Sequence, residues 1–301
     1  MSHPIDTVSK VLNHQPVDLI PKGELFINKS FLDHFFGKFK GEYILQLRAA
    51  AESLGLSLIG VDLSPPWSQL LLRDRQYKRL EDYFLVGCLP GPVAGLIEAH
   101  GFFDVFLSMK KNQTLFPDWE GSLLKVVEKK TQEAQNNGFR AIAVLDDIAG
   151  NKGLLFSLRD FLELVWPTYQ QMARIIKGRG LYAFFHSDGN ISEIIPNLIE
   201  AGYDCLHPVD TQAGLNLFDL NNKFGRKMAF MGPIDLLACN EDRIAQEIRR
   251  AEKEFKNGGL ILGSSGGLSL ETAEAKLDLL YPQWNSNQRV LFENKLKRGR
   301  T

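Results

Sequence analysis

Apolar residues fall into two alternating patterns along the chain. Short, mostly apolar runs that read as strands cover residues 19–27, 56–62, 83–88, 141–145, 181–185, 203–208, 227–232 and 259–263. Most are bounded by Gly, Pro or Asp, as strands buried on both faces of a parallel sheet should be. Between them the apolar period lengthens to that of a helix. Residues 123–137 and 161–177 are two such stretches. In 191–201 the positions Ile191, Ile194, Ile195, Leu198 and Ile199 share one helical face. In 241–256, Ile244 and Ile248 turn inward beneath a charged outer face. Ahead of the first strand, Asn13-His14-Gln15-Pro16-Val17-Asp18 reads as a turn after a short leading helix.

Strand and helix alternating eight times in 301 residues predict a (β/α)8 TIM barrel, an α/β fold. A single domain over residues 1–301 with a short N-terminal helical lead-in is expected. A doubly wound open sheet shares the alternation. Its dinucleotide-binding form is disfavoured, because Gly23-Glu-Leu-Phe-Ile27 stands where a Gly-rich phosphate loop would follow the first strand.

In such a barrel the chemistry sits at the C-terminal ends of the strands. Those ends are polar here. Glu24 lies in the first strand and Asp62 ends the second. Asp146 and Asp147 end the fourth, His186 and Asp188 the fifth, His207 and Asp210 the sixth. Asp235 follows the seventh, and Ser264, Ser265, Gly266 and Gly267 end the eighth. Each residue alone has an ordinary use: Asp62 as a turn residue, Asn190 as a helix cap, the glycines for tight packing. Together, several carboxylates and two histidines on one face would repel unless a cation or a shared proton lies between them.

The run Gly180-Leu-Tyr-Ala-Phe-Phe-His-Ser-Asp-Gly-Asn-Ile191 poses this most sharply. Residues two apart on a strand point the same way, so His186 and Asp188 are expected to face one ligand in the mouth. Gly189 lets the chain turn towards the next helix. Imidazole and carboxylate suit zinc or another divalent metal, and a second carboxylate would leave the site open to manganese or cobalt. Metal requires neutral His186, so affinity is expected to fall below its free pKa of about 6.5. The backbone N–H groups at Ser264, Ser265, Gly266 and Gly267 are expected to start a helix and suit an anion.

Charge narrows the class. Lys and Arg number 35 against 36 Asp and Glu, so neither a nucleic-acid footprint nor an acidic arm is present. The basic run Lys295-Leu-Lys-Arg-Gly-Arg300 reads as a solvated end. Cys88, Cys205 and Cys239 form no CxxC pair, which fits a reducing, cytoplasmic setting without a disulfide framework. Neither a signal peptide nor an apolar run of the roughly 20 residues a membrane helix needs is expected.

His186-Ser-Asp-Gly-Asn-Ile191, Leu198-Ile-Glu-Ala-Gly-Tyr-Asp204 and Gly225-Arg-Lys-Met-Ala-Phe-Met-Gly-Pro-Ile-Asp235 resemble the uroporphyrinogen decarboxylase superfamily. Val11-Leu-Asn-His-Gln-Pro-Val-Asp18 with Pro21, and Asp146-Asp-Ile148 with Gly153, fit its other segments. The resemblance runs nearly end to end and implies a (β/α)8 barrel. It also implies one of two chemistries: metal-free decarboxylation of uroporphyrinogen, or zinc-dependent methyl transfer between a corrinoid protein and a thiol or similar acceptor.

The decarboxylase pattern is matched by Asp62, which would cradle pyrrole N–H groups. The substrate-binding arginines after the first strand are absent from Glu24-Leu-Phe-Ile-Asn-Lys-Ser30. The family's tyrosine after the third strand falls on Glu98, and its histidine after the eighth on Gly266. In the methyltransferase pattern His186 matches the ligand histidine. Asp188 replaces one cysteine, Asp210 matches the acid, and Ser264 or Ser265 replaces the last cysteine.

The resemblance therefore implies methyl transfer involving a corrinoid or a small methylated compound. His186, Asp188 and Asp210 would hold the metal, and Asp62, Asp147 or Glu24 would act as base or orient substrate. Glu24, Glu98, His207, Ser264, Ser265 and Gly266 would line the substrate site. A divergent tetrapyrrole decarboxylase and a non-catalytic tetrapyrrole- or corrinoid-binding barrel are the alternatives.

Overall fold

The computed structural model describes residues 3–37, 43–111 and 115–284. The basic run Lys295–Arg300 lies outside them. Eight strands form one sheet: β1 (Gly23–Glu24), β2 (Leu58–Asp62), β3 (Phe84–Pro90), β4 (Ala141–Leu145), β5 (Tyr182–His186), β6 (Cys205–His207), β7 (Ala229–Met231) and β8 (Leu260–Ile261). They are ordered as in the sequence, and every neighbouring pair is parallel. A parallel bridge between Lys22 and Leu262 closes the ring. The Gly23 N–H donates to the Leu262 carbonyl at 2.8 Å, and the Leu262 N–H to that of Pro21 at 3.0 Å. The fold is a (β/α)8 barrel.

Alternation along the strands sorts the core in two. Leu58, Phe84, Val86, Ala141, Ala143, Phe184, Cys205, Ala229 and Met231 fill the lumen. The intervening residues, such as Ile59, Leu85, Ile142 and Phe185, pack outward against the helices. Helix Pro4–Leu12 closes the bottom of the lumen with Val8 and Val11, both fully buried. His3 caps this helix and Pro4 sits in its first turn, where a missing N–H costs nothing. Burying each valine contributes about 1.5–3 kcal/mol.

The elements differ from the expected ones where local chemistry intervenes. The first apolar run was expected as a strand over 19–27. Its ladder is Gly23–Glu24, with single bridges at Lys22 and Ile27, and Leu19 is 78% exposed. The helix expected over 161–177 opens with a π-helical turn, Phe161–Val165, before Trp166–Gly178. Pro167 has no N–H to donate, and the wider turn carries the chain past it. The helix expected from 191 begins at Ile195. Asn190 Oδ1 instead accepts from the Ser192 N–H at 3.1 Å and its hydroxyl at 2.7 Å, making a turn first. No helix among the described residues is long and apolar enough to cross a membrane.

Candidate metal centre

His186 is the last residue of β5, and register pairs it with Leu145 on β4 and His207 on β6. All three face the lumen at its C-terminal mouth. Asp147 lies just beyond β4 and Asp188 just beyond β5. One ligand atom from each of Asp147, His186 and Asp188 lies within 4.8 Å of the other two. His186 Nε2 is 3.6 Å from Asp147 Oδ1, which also accepts from the Asp188 N–H at 2.9 Å. The imidazole is buried and both carboxylates are exposed.

The loop that holds Asp188 is pinned from three sides. Ser187 Oγ accepts from the Ile148 N–H at 3.2 Å and donates to the Asp188 carbonyl at 2.9 Å. Gly189 has φ +88°, and a Cβ there would fall 2.5 Å from the Ala149 carbonyl oxygen. Asp210 accepts from the Gly189 N–H at 2.9 Å.

Electrostatics prepare this group for a cation. Burial lowers the His186 pKa to about 4, although the Asp147 charge opposes the shift. His186 is therefore neutral at pH 7, as a metal ligand must be. Partial burial and the charges of Asp147 and Asp210 push Asp188 up to about 6. Two carboxylates and a neutral imidazole form an open borderline site that fits zinc, manganese or cobalt. A divalent cation between them would remove the repulsion.

The remaining candidates divide. Asp62 is exposed and pairs in register with lumen-facing Cys88, so it stands on the wall of the mouth. It also accepts from the Ser64 N–H at 2.8 Å. Asp210 sits one step back from the converging group. Its carboxylate accepts from the N–H groups of Gly189, Gln212 and Ala213, which ties the loops after β5 and β6 together. His207 is buried beside its register partner His186, with its Nδ1 2.9 Å from His186 Nδ1, and its ring is almost fully closed off from the mouth.

Glu24 pairs in register with Ile59, whose side chain belongs to the outer core, so it faces away from the mouth. It is fully buried, accepts from Ser264 N at 2.8 Å and Ser264 Oγ at 2.6 Å, and is bonded to the Tyr281 hydroxyl. Burial raises it to about 7 against those bonds.

No helix begins at Ser264–Gly267. The Ser264 N–H is held by Glu24 and the Ser265 N–H by the Ile234 carbonyl, so neither is free for an anion. Gly266 is exposed with open space around it. Glu98 is exposed in the last turn of helix Pro92–His100, outside the converging group.

Three features escape sequence reasoning. Phe26 lies edge-on to His186 and His207, with ring centroids 4.9 and 5.8 Å away. Tyr281 anchors Glu24 from a segment far along the chain. Asp146, legible in the sequence only as a strand-end acid, is buried and accepts from Val93 N, Ala94 N and the Tyr169 hydroxyl at 2.9, 2.6 and 2.6 Å. It thus caps helix Pro92–His100, whose own N-cap, Gly91, has no side chain. A Cβ at Gly91 would lie 2.3 Å from Asp146 Oδ2, so the glycine makes room for this cap.

The barrel is similar to a methyltransferase from Methanosarcina mazei at 17% identity and TM-score 0.75, covering 97% of this chain and 100% of that one. The YdhT protein from Bacillus subtilis has 12% identity and TM-score 0.54, with 94% of this chain and 88% of that one covered. The 3-keto-D-glucoside 4-epimerase YcjR from E. coli has 12% identity and TM-score 0.51, with 88% and 98% covered. At these identities the likeness shows the fold. No curated protein matches the chain. The profile of the uroporphyrinogen decarboxylase (URO-D) family matches residues 81–282, from the approach to β3 through β8 and the segment that carries Tyr281. That span holds Asp147, His186, Asp188 and His207, and the chain belongs to the uroporphyrinogen decarboxylase family.

Proposed function

We propose that the protein is a divalent-metal-dependent methyltransferase. It would move a methyl group between a corrinoid, carried by a partner protein, or a small O- or N-methyl compound and a small acceptor. The observation that carries this reading is the convergence of Asp147, His186 and Asp188 at the mouth of the barrel. The likeness of the whole chain to a solved methyltransferase supports it. Three free, buried cysteines suit a reducing cytoplasmic setting.

Asp147, His186 and Asp188 would hold the cation. When bound, it would supply Lewis acidity to the group that gains or loses the methyl group. Phe26 shields the imidazole pair on one side and limits water there. Asp62, on another wall, would take the proton that leaves an acceptor S–H, N–H or O–H as the methyl group arrives. The methyl group's former bonding pair would stay with the donor. Asp210 would act by fixing the two loops rather than as a ligand.

The test is methyl transfer from free methylcobalamin to a panel of thiols by zinc- or cobalt-loaded protein. Loss of the methylcobalamin spectrum with formation of a methyl thioether, abolished in His186→Ala, is expected. Metal-loaded protein that transfers no methyl group from methylcobalamin or from O- and N-methyl compounds would overturn the reading.

A further inference from the structure

The contact between His186 Nδ1 and His207 Nδ1, 2.9 Å long, requires one ring to donate and the other to accept. Both rings are buried, where a charged imidazolium is disfavoured, so each carries one proton. Two arrangements remain. Either His186 is protonated at Nδ1 and His207 at Nε2, or the two are reversed.

The far side of His207 decides between them. Its Nε2 is buried without a hydrogen-bond partner, and it shares with the Ser264 carbonyl oxygen the space beside Gly232, both atoms lying within 2.8 Å of where a Cβ there would stand. A bare Nε2 lone pair would therefore face a carbonyl lone pair where no water can relieve it. In the reversed arrangement His186 Nε2–H would gain only a 3.6 Å approach to an exposed carboxylate, which is too long for a hydrogen bond.

The position of the Ser264 carbonyl is itself built. Glu24 holds both the Ser264 N–H and its hydroxyl, and Tyr281 holds Glu24. Gly232, at φ +65°, leaves the gap through which His207 and Ser264 meet. A Cβ there would fall 2.6 Å from His207 Nε2 and 2.8 Å from the Ser264 oxygen.

We infer that the buried chain Tyr281–Glu24–Ser264–His207 fixes the tautomer of His186 and leaves its Nε2 lone pair open to the mouth. His207 and Glu24 are then positioning residues for the metal ligand, a role that rests on the metal-dependent reading above. Such outer partners set the ring orientation and basicity of a metal-bound histidine.

Two measurements on the full chain test this. In the metal-free protein labelled with 15N-histidine, long-range proton–nitrogen spectra at neutral pH should show His186 protonated at Nδ1 and His207 at Nε2. The reverse pair would overturn the inference. In zinc titrations His207→Phe, which keeps a ring but removes the acceptor, should bind about 10- to 100-fold more weakly than wild type. His207→Gln, whose carbonyl can accept from His186, should recover most of that loss. Equal affinity of wild type and His207→Phe would overturn the inference. Wild type that shows the expected tautomers but takes up no zinc would overturn the metal reading and leave the tautomer chain supported.

Discussion

Gly189 shows how much of the site depends on one backbone angle. It stands between Asp188 and Asn190, its φ is +88°, and the Ala149 carbonyl would lie 2.5 Å from an added Cβ. Gly189→Ala combines a left-handed penalty with a backbone collision, and backbone strain of this kind costs of order 1–3 kcal/mol. Thermal denaturation should show that loss, and zinc affinity should fall with it because Asp188 is displaced. A variant with unchanged stability and unchanged affinity would contradict this account. The need for a turn at Gly189 was legible from a strand followed by Asp-Gly-Asn. The uses of Asp210 and Ser264 were not. Residue type says that a carboxylate or hydroxyl is present, but not how many N–H groups already satisfy it. Three do so for Asp210. Asp147 was legible as a strand-end acid, but its convergence with His186 depends on how two loops fold back.

Among the elements, the seam between β1 and β8 carries the clearest pH signature. Glu24 faces the outer core there and ties the start of the barrel to its end through Ser264 and Tyr281. Burial raises its pKa from 4.5 to about 7. The folded state therefore binds a proton that the unfolded state releases over that window. Stability supplied by this group is fully present below about pH 4.5 and is lost as pH rises through 7. The linked loss is about 3 kcal/mol by order of magnitude. Denaturant midpoints from pH 5 to 8 should decline less steeply in Glu24→Gln than in wild type. Parallel curves would show that Glu24 is already ionised in the folded state. The strands themselves were legible because buried parallel strands are short apolar runs between turn residues. The first was misjudged because Leu19 and its neighbours are apolar without being in the ladder. The facing of Glu24 was legible in principle, since Gly23 and Leu25 flank it and strands alternate.

For the molecule as a whole, the barrel gathers Asp147, His186 and Asp188 at one end and closes the other with helix Pro4–Leu12. Family membership alone leaves decarboxylation open, and Asp62 on the wall of the mouth is the residue that favours it. An eight-carboxylate substrate requires cations, and the first-strand segment Glu24-Leu-Phe-Ile-Asn-Lys-Ser30 has no arginine. The purified protein should therefore give no measurable coproporphyrinogen from uroporphyrinogen. Robust turnover would show that the mouth recognises tetrapyrrole carboxylates by other groups.

The central claim is that Asp147, His186 and Asp188 hold a divalent cation at the mouth. Anomalous diffraction at the zinc edge, from crystals grown with zinc at neutral pH, tests it most directly. A single strong peak about 2.0–2.1 Å from His186 Nε2, with Asp147 and Asp188 oxygens in the same shell, is the predicted result. A site without a peak, or a peak held by other residues while His186 keeps only its contact to His207, would contradict the account.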